Sequence, residues 1–187
     1  MKSNTNIRKM TITALLTALT ILIPIVFSPI RIPVGLTFTA TLSVHVPIII
    51  AMFISPWSAA FVALGSALGF FFSAPTVVAV RAATHVIFAV AGACMIRKMH
   101  GNTMLKLAIV WLATMVLHAA AEAVASGLMV HYAFGSPLYV AYAEAFTTGV
   151  GTLIHHTIDY VIAIGILSVL AKAAPQHFGG ALGKKLR

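Results

Sequence analysis

Apolar residues fall in long runs, broken by short stretches rich in proline, glycine and polar residues. A helix that crosses the hydrocarbon core of a bilayer needs about 20 mostly apolar residues. Six runs meet or approach that length: 10–27, 41–54, 57–73, 77–96, 104–131 and 141–172. The second and third are short and separated only by Ser55-Pro56-Trp57. Proline pushes the residue before it out of helix, so this junction predicts a tight turn between antiparallel helices. Strand-length segments of alternating polarity are absent, which argues against a transmembrane barrel. The pattern predicts an all-α integral membrane protein, with residues 1–187 forming a single domain of six transmembrane helices.

Composition strengthens this reading. Of 187 residues, 60% are hydrophobic and only 8% charged, and the mean hydropathy is +1.03. A soluble domain carries about 25% charged residues. Soluble, disordered and disulfide-scaffold classes are excluded on this ground. The lone Cys94 cannot close a disulfide within the chain, and it rules out iron–sulfur clusters and cysteine-based zinc sites.

The net charge of +9 is a topology signal. Lys2, Arg8 and Lys9 precede the first run, and Arg97, Lys98 and Lys106 flank the fourth-to-fifth connection. Lys172, Lys184, Lys185 and Arg187 close the chain. An even number of spans puts all of these on one side, leaving only Arg31 on the other and Arg81 inside a span. The positive-inside rule then places both termini in the cytoplasm. The basic side suits anionic lipid rather than nucleic acid. The first run lacks a clear small-residue cleavage site and is read as a transmembrane helix rather than a signal peptide.

In this topology the longest outward connection is 28–40, SPIRIPVGLTFTA, which contains Arg31 and Phe38. A loop this apolar is expected to pack back on the bundle. Residues 132–140 are again aromatic, with Tyr132, Phe134 and Tyr139. These aromatics suit an interfacial belt or a lid over an outward-opening cavity. No phosphate-binding glycine loop occurs, so the chain is expected not to use ATP itself and not to be an enzyme.

Ionisable residues at membrane depth are costly unless paired or hydrated, and so mark candidate function. Arg81 is followed by His85 at i+4, with no carboxylate one turn away. His118 and Glu122 form a second i,i+4 pair, and His155 and Asp159 a third, with His156 adjacent. His45 opens the second run, and Glu144 lies near the outer end of the sixth. Three readings suit these pairs. Histidine with carboxylate suits a divalent transition metal. A polar pocket would use Arg81 and His85 to hold an anion and the carboxylates to accept hydrogen bonds. Bundles also use such pairs as interhelical contacts. His118-Ala-Ala-Ala-Glu122 does not match the His-Glu-x-x-His signature of metalloproteases.

Small residues recur at spacing four, as Ala14 and Ala18 in the first run and Gly65 and Gly69 in the third. Such pairs allow helices to approach closely. The glycine pair suits packing within the chain, and the alanine pair begins where a partner subunit could dock.

These features together resemble the substrate-binding (S) subunits of energy-coupling factor (ECF) vitamin transporters. The resemblance covers the whole chain by length, topology and loop layout. It also covers Ala14-Leu15-Leu16-Thr17-Ala18, His45-Val46-Pro47, Phe53-Ile54-Ser55-Pro56 and Gly65-Ser66-Ala67-Leu68-Gly69-Phe70. It implies a bacterial plasma-membrane protein that binds a vitamin from outside. A transmembrane coupling subunit would dock on Ala14 and Ala18, and two partner ATPases would supply energy. Loop 28–40, with Arg31 and Phe38, would gate the pocket. Cobalt- and nickel-type members use a histidine-rich N-terminal segment, and Met1 to Lys9 contains no histidine. No metal or other cofactor is therefore expected. Arg81 and His85 favour a carboxylate ligand such as pantothenate or nicotinate. The expected binding residues are Arg81, His85, His118, Glu122, His155, Asp159, Phe38 and Tyr139. A stand-alone proton-coupled transporter, with the His–acid pairs as a relay, is the alternative; no convincing repeat relates residues 1–96 to 97–187.

Overall fold

A computed structural model describes residues 2–100 and 103–173, with side chains from Asn6 onward. Lys184, Lys185 and Arg187, on which part of the charge argument rests, lie outside the described residues, as does the Lys2 side chain.

The described chain is mostly helical. Helix α1 spans Lys2–Val26. A single 3-10 turn, Ser28–Ile30, leads into a small antiparallel hairpin of β1, Ile32–Val34, and β2, Phe38–Ala40. Then follow α2 (Val46–Met52), α3 (Pro56–Ser73), α4 (Thr76–Ala83) and α5 (His85–Lys98). Helix α6 (Thr103–Leu128) runs into a π-helical turn, Met129–Ala133, and α7 covers Leu138–Ala173. Five segments are long and apolar enough to cross a membrane: Asn6–Val26, Pro56–Ser73, Thr76–Lys98, Thr103–Ala133 and Leu138–Ala173.

The predicted run 41–54 differs. Its helix α2 has only seven residues, about 10 Å of rise, and all seven are buried. A helix that is apolar all round is buried on all sides. Here protein covers it, packed against α1, α3, α5 and α7. The tight turn after it is as expected: Ser55 Oγ accepts from Ser58 N–H at 3.0 Å, capping α3, and Pro56 occupies the first helical turn, where its missing N–H costs nothing. The predicted run 77–96 is interrupted at Thr84, whose hydroxyl donates to the Arg81 carbonyl at 2.7 Å. Among the described residues the hairpin in loop 28–40 is the only β structure; it turns through Gly35 at φ +71, a conformation that favours glycine.

Polarity is arranged inside out relative to a soluble protein. Leu15, Leu19, Phe61, Phe72, Phe146 and Val161 point outward, while Arg81, His85, His118, Glu122, His156 and Asp159 are buried. Ile48, Met52, Val62, Phe88, Val110 and Leu167 form the main apolar core.

The Gly65/Gly69 face packs within the chain, against α1. A Cβ on Gly69 would lie 2.5 Å from the Ile21 carbonyl oxygen, and one on Gly65 2.7 Å from Thr20 Oγ1. Close approach is reinforced by Thr20 Oγ1 donating to the Val62 carbonyl at 3.0 Å and Thr13 Oγ1 to Ser58 Oγ at 2.8 Å. The obstacle at Gly69 is backbone, which cannot rotate away. Gly69→Val is therefore expected to destabilise the bundle by at least about 2 kcal/mol. A thermal melt in detergent would register this as a lowered Tm; an unchanged Tm would mean that α1 and α3 do not pack this closely.

Candidate ligand-binding site

A small cavity of about 20 Å³ lies among β2, α3, α4, α5, α6 and α7. It has room for about one water, so a small molecule fits only when the hairpin or a side chain of its wall moves. Phe38, Val44, Phe70, Val78 and Ala82 supply apolar wall, and Arg81, His45, His85, Glu122, Thr152 and His155 supply polar groups.

Arg81 organises one side. Its Nη2 donates to Glu122 Oε2 at 2.8 Å, and its Nη1 to the Thr37 carbonyl. The guanidinium lies 5.1 Å from the centre of the Phe38 ring. Among the described residues its Nε–H has no hydrogen-bond partner. The expectation that no carboxylate neutralises Arg81 holds only along its own helix: Glu122 reaches it from α6. Glu122 also accepts from Thr152 Oγ1 at 2.6 Å and approaches His85 Nε2 at 3.1 Å. A buried carboxylate needs this many partners, because an unpaired charge there would be prohibitive.

Asp159 organises the other side. Its carboxylate accepts from the backbone N–H groups of Ser43 (2.9 Å) and His45 (3.0 Å), and from His45 Nδ1 at 2.9 Å. It thereby holds Ser43 at φ 64, a strained conformation for a residue with a side chain. His155 Nε2 is 3.0 Å from Asp159 Oδ2 but off the line of a hydrogen bond. His118 does not line the cavity and stands behind it, 3.7 Å from Glu122 Oε1 through its Nε2.

The hairpin closes over this cavity and is held by Glu144. The Glu144 carboxylate accepts from the N–H groups of Leu36 (2.9 Å), Thr37 (2.7 Å) and Phe38 (3.2 Å), and from Thr37 Oγ1 (2.6 Å). Thr37 Oγ1 also meets Ser126 Oγ closely. A Cβ on Gly151 would strike the Phe38 ring at 2.5 Å, so α7 leaves that ring its seat. Arg31 anchors the hairpin's entry: its guanidinium donates to Thr41 Oγ1 and to the Pro24 and Ser73 carbonyls. Partial burial lowers its pKa from the usual arginine value without bringing it near neutrality.

Arg81, His85, Glu122, His155, Asp159 and Phe38 thus come together, with His118 just behind them. Tyr139 does not join them. It is 75% exposed in the first turn of α7 and is not among the residues that line the cavity. It lies two residues after Pro137, just past the break between the π-helical turn and α7. The residues that sequence reasoning left unassigned are His45 and Glu144. Both were visible as ionisable groups at membrane depth, but their partners lie more than 100 residues away along the chain.

Chemically, the arrangement is a closed, polar-floored compartment with a free guanidinium N–H and aromatic walls inside a multi-pass helical membrane protein. That defines a membrane-embedded binding protein for a small solute. No protein-family model matches the chain, and no solved structure matches it. The niacin transporter NiaX of Lactococcus lactis is 35% identical over 178 residues, which covers 90% of this chain and 77% of that protein. The chain belongs to the S subunits of ECF vitamin transporters, multi-pass proteins of the cell membrane.

Proposed function

We propose that this chain captures nicotinate from outside the cell and delivers it through an ECF module energised by two partner ATPases. The observation that carries the reading is the buried Arg81 with its free Nε–H, beside a small cavity walled in part by Phe38 and Phe70 that a shift of the hairpin would enlarge. A guanidinium clamps a carboxylate, and flat apolar walls suit a planar aromatic ring. Pantothenate carries a carboxylate too, but it is longer and flexible and would need donors spread along its length. The niacin specificity stated for the Lactococcus lactis relative supports nicotinate. His85, Glu122, Thr152 and His155 would then meet the ring nitrogen end, and Glu144 would hold the hairpin shut over it.

The topology belongs to the same reading. Residues 41–54, with short α2 inside the bundle, make the sixth crossing, and both termini lie in the cytoplasm. Titration of the purified chain with nicotinate, nicotinamide and pantothenate tests the assignment. Nicotinate should bind at least a hundredfold more tightly than nicotinamide, which lacks the carboxylate, because losing a charge-assisted pair in a desolvated site costs about 3 kcal/mol. Equal affinity for nicotinamide would remove Arg81 from the account, and preference for pantothenate would replace the ligand.

Docking is proposed on the outer face of α1. Ala14 and Ala18 are exposed there, on a broad groove shared with Thr17, Trp57 and Phe61. Ala14→Trp or Ala18→Trp is expected to leave vitamin binding intact and to reduce uptake by cells to background, since bulk prevents close helix approach. Normal uptake by both variants would place the docking face elsewhere.

A further inference from the structure

At the cavity floor, with His118 just behind it, three histidines turn one ring edge toward a common point. The rings of His45, His85 and His118 lie 4.5–4.9 Å apart between centroids and meet at 77–90°. One nitrogen from each lies within 4.8 Å of the others. His45 Nε2 and His85 Nε2 are 3.3 Å apart, and Glu122 Oε1 is 3.1 Å from His85 Nε2 and 3.7 Å from His118 Nε2. Donor atoms about 2.0–2.1 Å from a tetrahedral ion are separated from each other by about 3.3 Å.

The proton inventory points the same way. Thr114 has one hydroxyl proton and donates it to the Val110 carbonyl at 2.7 Å. It therefore accepts from His156 Nε2–H at 3.1 Å, which leaves the Nδ1 of a neutral His156 bare. That nitrogen is 3.0 Å from His118 Nδ1, so His118 carries its proton on Nδ1 and presents a bare lone pair at Nε2. His118 Nε2 is fully buried and has no hydrogen-bond partner. His45 likewise donates Nδ1–H to Asp159 and has a bare Nε2. His85 Nδ1 lies 3.3 Å from Ser66 Oγ, which can accept its proton. Each ring is thus held by its far nitrogen, on Asp159, Ser66 and His156. This is the outer-shell pattern that orients imidazoles on a metal. Without a metal, His85 Nε2–H can donate to Glu122 Oε1, which leaves the His45 and His118 lone pairs facing that point; a cation there would engage all four atoms.

We propose that His45, His85 and His118, through Nε2, with Glu122 Oε1 as fourth ligand, hold a divalent transition metal of the zinc class as a resident part of the pocket floor. A modest turn of the His118 ring completes the set. Imidazole-rich tetrahedral donors suit zinc, and cobalt(II) in its place. No residue of the N-terminal segment takes part. The ion also balances charge: among the described residues Arg81 is the one arginine or lysine lining the cavity, with Glu122 in the wall and Asp159 behind His45 and His155, so a divalent cation would offset the charge of an anionic vitamin. This charge argument rests on the nicotinate reading; the ligand geometry does not.

The test uses the full chain in mild detergent, freed of any affinity tag, stripped with a chelator and titrated with Co²⁺ and then Zn²⁺. The expected result is one Co²⁺ per chain, with the intense visible bands of a tetrahedral site, displaced by Zn²⁺. His45→Gln and His118→Gln should weaken binding at least a hundredfold. Asp159→Asn, which keeps all four ligands, should weaken it about 10–100-fold, and His131→Gln should leave it unchanged. Gel-filtration profile and melting temperature identify variants that fail to fold. A folded wild-type chain that takes up neither ion would overturn the proposal, as would binding equally tight in folded His45→Gln and His118→Gln. A chain that binds Co²⁺ as described but no nicotinate would defeat the vitamin reading and leave the metal site standing.

Discussion

Arg81→Ala is expected to weaken nicotinate binding by about 3 kcal/mol or more, over a hundredfold in Kd. Two losses combine. The ligand carboxylate loses its clamp, and Glu122, paired with Arg81 at 2.8 Å, is left as a buried carboxylate without its cation. Removing one partner of a buried pair costs about 3–5 kcal/mol of stability, whereas replacing both by apolar residues is often neutral. The two effects can therefore be separated. Arg81→Met combined with Glu122→Leu should recover much of the melting temperature lost in Arg81→Ala while binding stays lost. Isothermal titration and thermal melting of the wild type and the two variants check this. Full affinity in a folded Arg81→Ala chain would mean that the guanidinium serves only Glu122 and the Thr37 carbonyl.

Glu144→Ala is expected to act on the lid rather than on the ligand. The carboxylate accepts three backbone N–H bonds and one hydroxyl bond from Leu36, Thr37 and Phe38. Hydrogen bonds to a charged acceptor contribute about 1.5–3 kcal/mol each, and these four gather at the hairpin's turn and β2, beside the Arg81 bond to the Thr37 carbonyl and the seat of the Phe38 ring. The hairpin's strands are three residues long, and β1 is exposed throughout. Losing Glu144 should therefore speed ligand release roughly a hundredfold, equivalent to about 3 kcal/mol. The association rate should change much less, because most affinity differences within one site appear in dissociation. Stopped-flow displacement reads both rates. Glu144→Gln keeps the size but loses the charge and is expected to fall between. An unchanged dissociation rate in Glu144→Ala would show that the hairpin does not gate release.

The long helices were legible because hydropathy and length alone define them. The run 77–96 was placed correctly, although its break at Thr84 carries no proline or glycine and depends on a local hydroxyl-to-carbonyl bond. The run 41–54 was visible by hydropathy, but a hydropathy window cannot distinguish burial in lipid from burial in protein. Residues 46–52 are apolar on every side, and α1, α3, α5 and α7 rather than acyl chains cover them.

The site was half legible. Spacing revealed His118 with Glu122 and His155 with Asp159, since i,i+4 positions share a helix face. Spacing could not reveal that Glu122 spends one oxygen on Arg81, 41 residues away, or that Asp159 is satisfied chiefly by Ser43 and His45. Long-range partners of buried charges leave no periodic trace. Tyr139 was drawn toward the pocket by its type and its outer-loop position, yet helix phase decides which way a ring points. That phase is reset by the π-helical turn and the break at residues 134–137.

The central claim, that this S subunit carries nicotinate, is tested most directly by the small molecule that accompanies the chain through purification in mild detergent. Mass spectrometry of the released ligand, followed by titration of the emptied protein with the same compound, is expected to identify nicotinate at close to one per chain. A different vitamin at that stoichiometry would contradict the assignment. So would an emptied, folded chain that fails to bind nicotinate again.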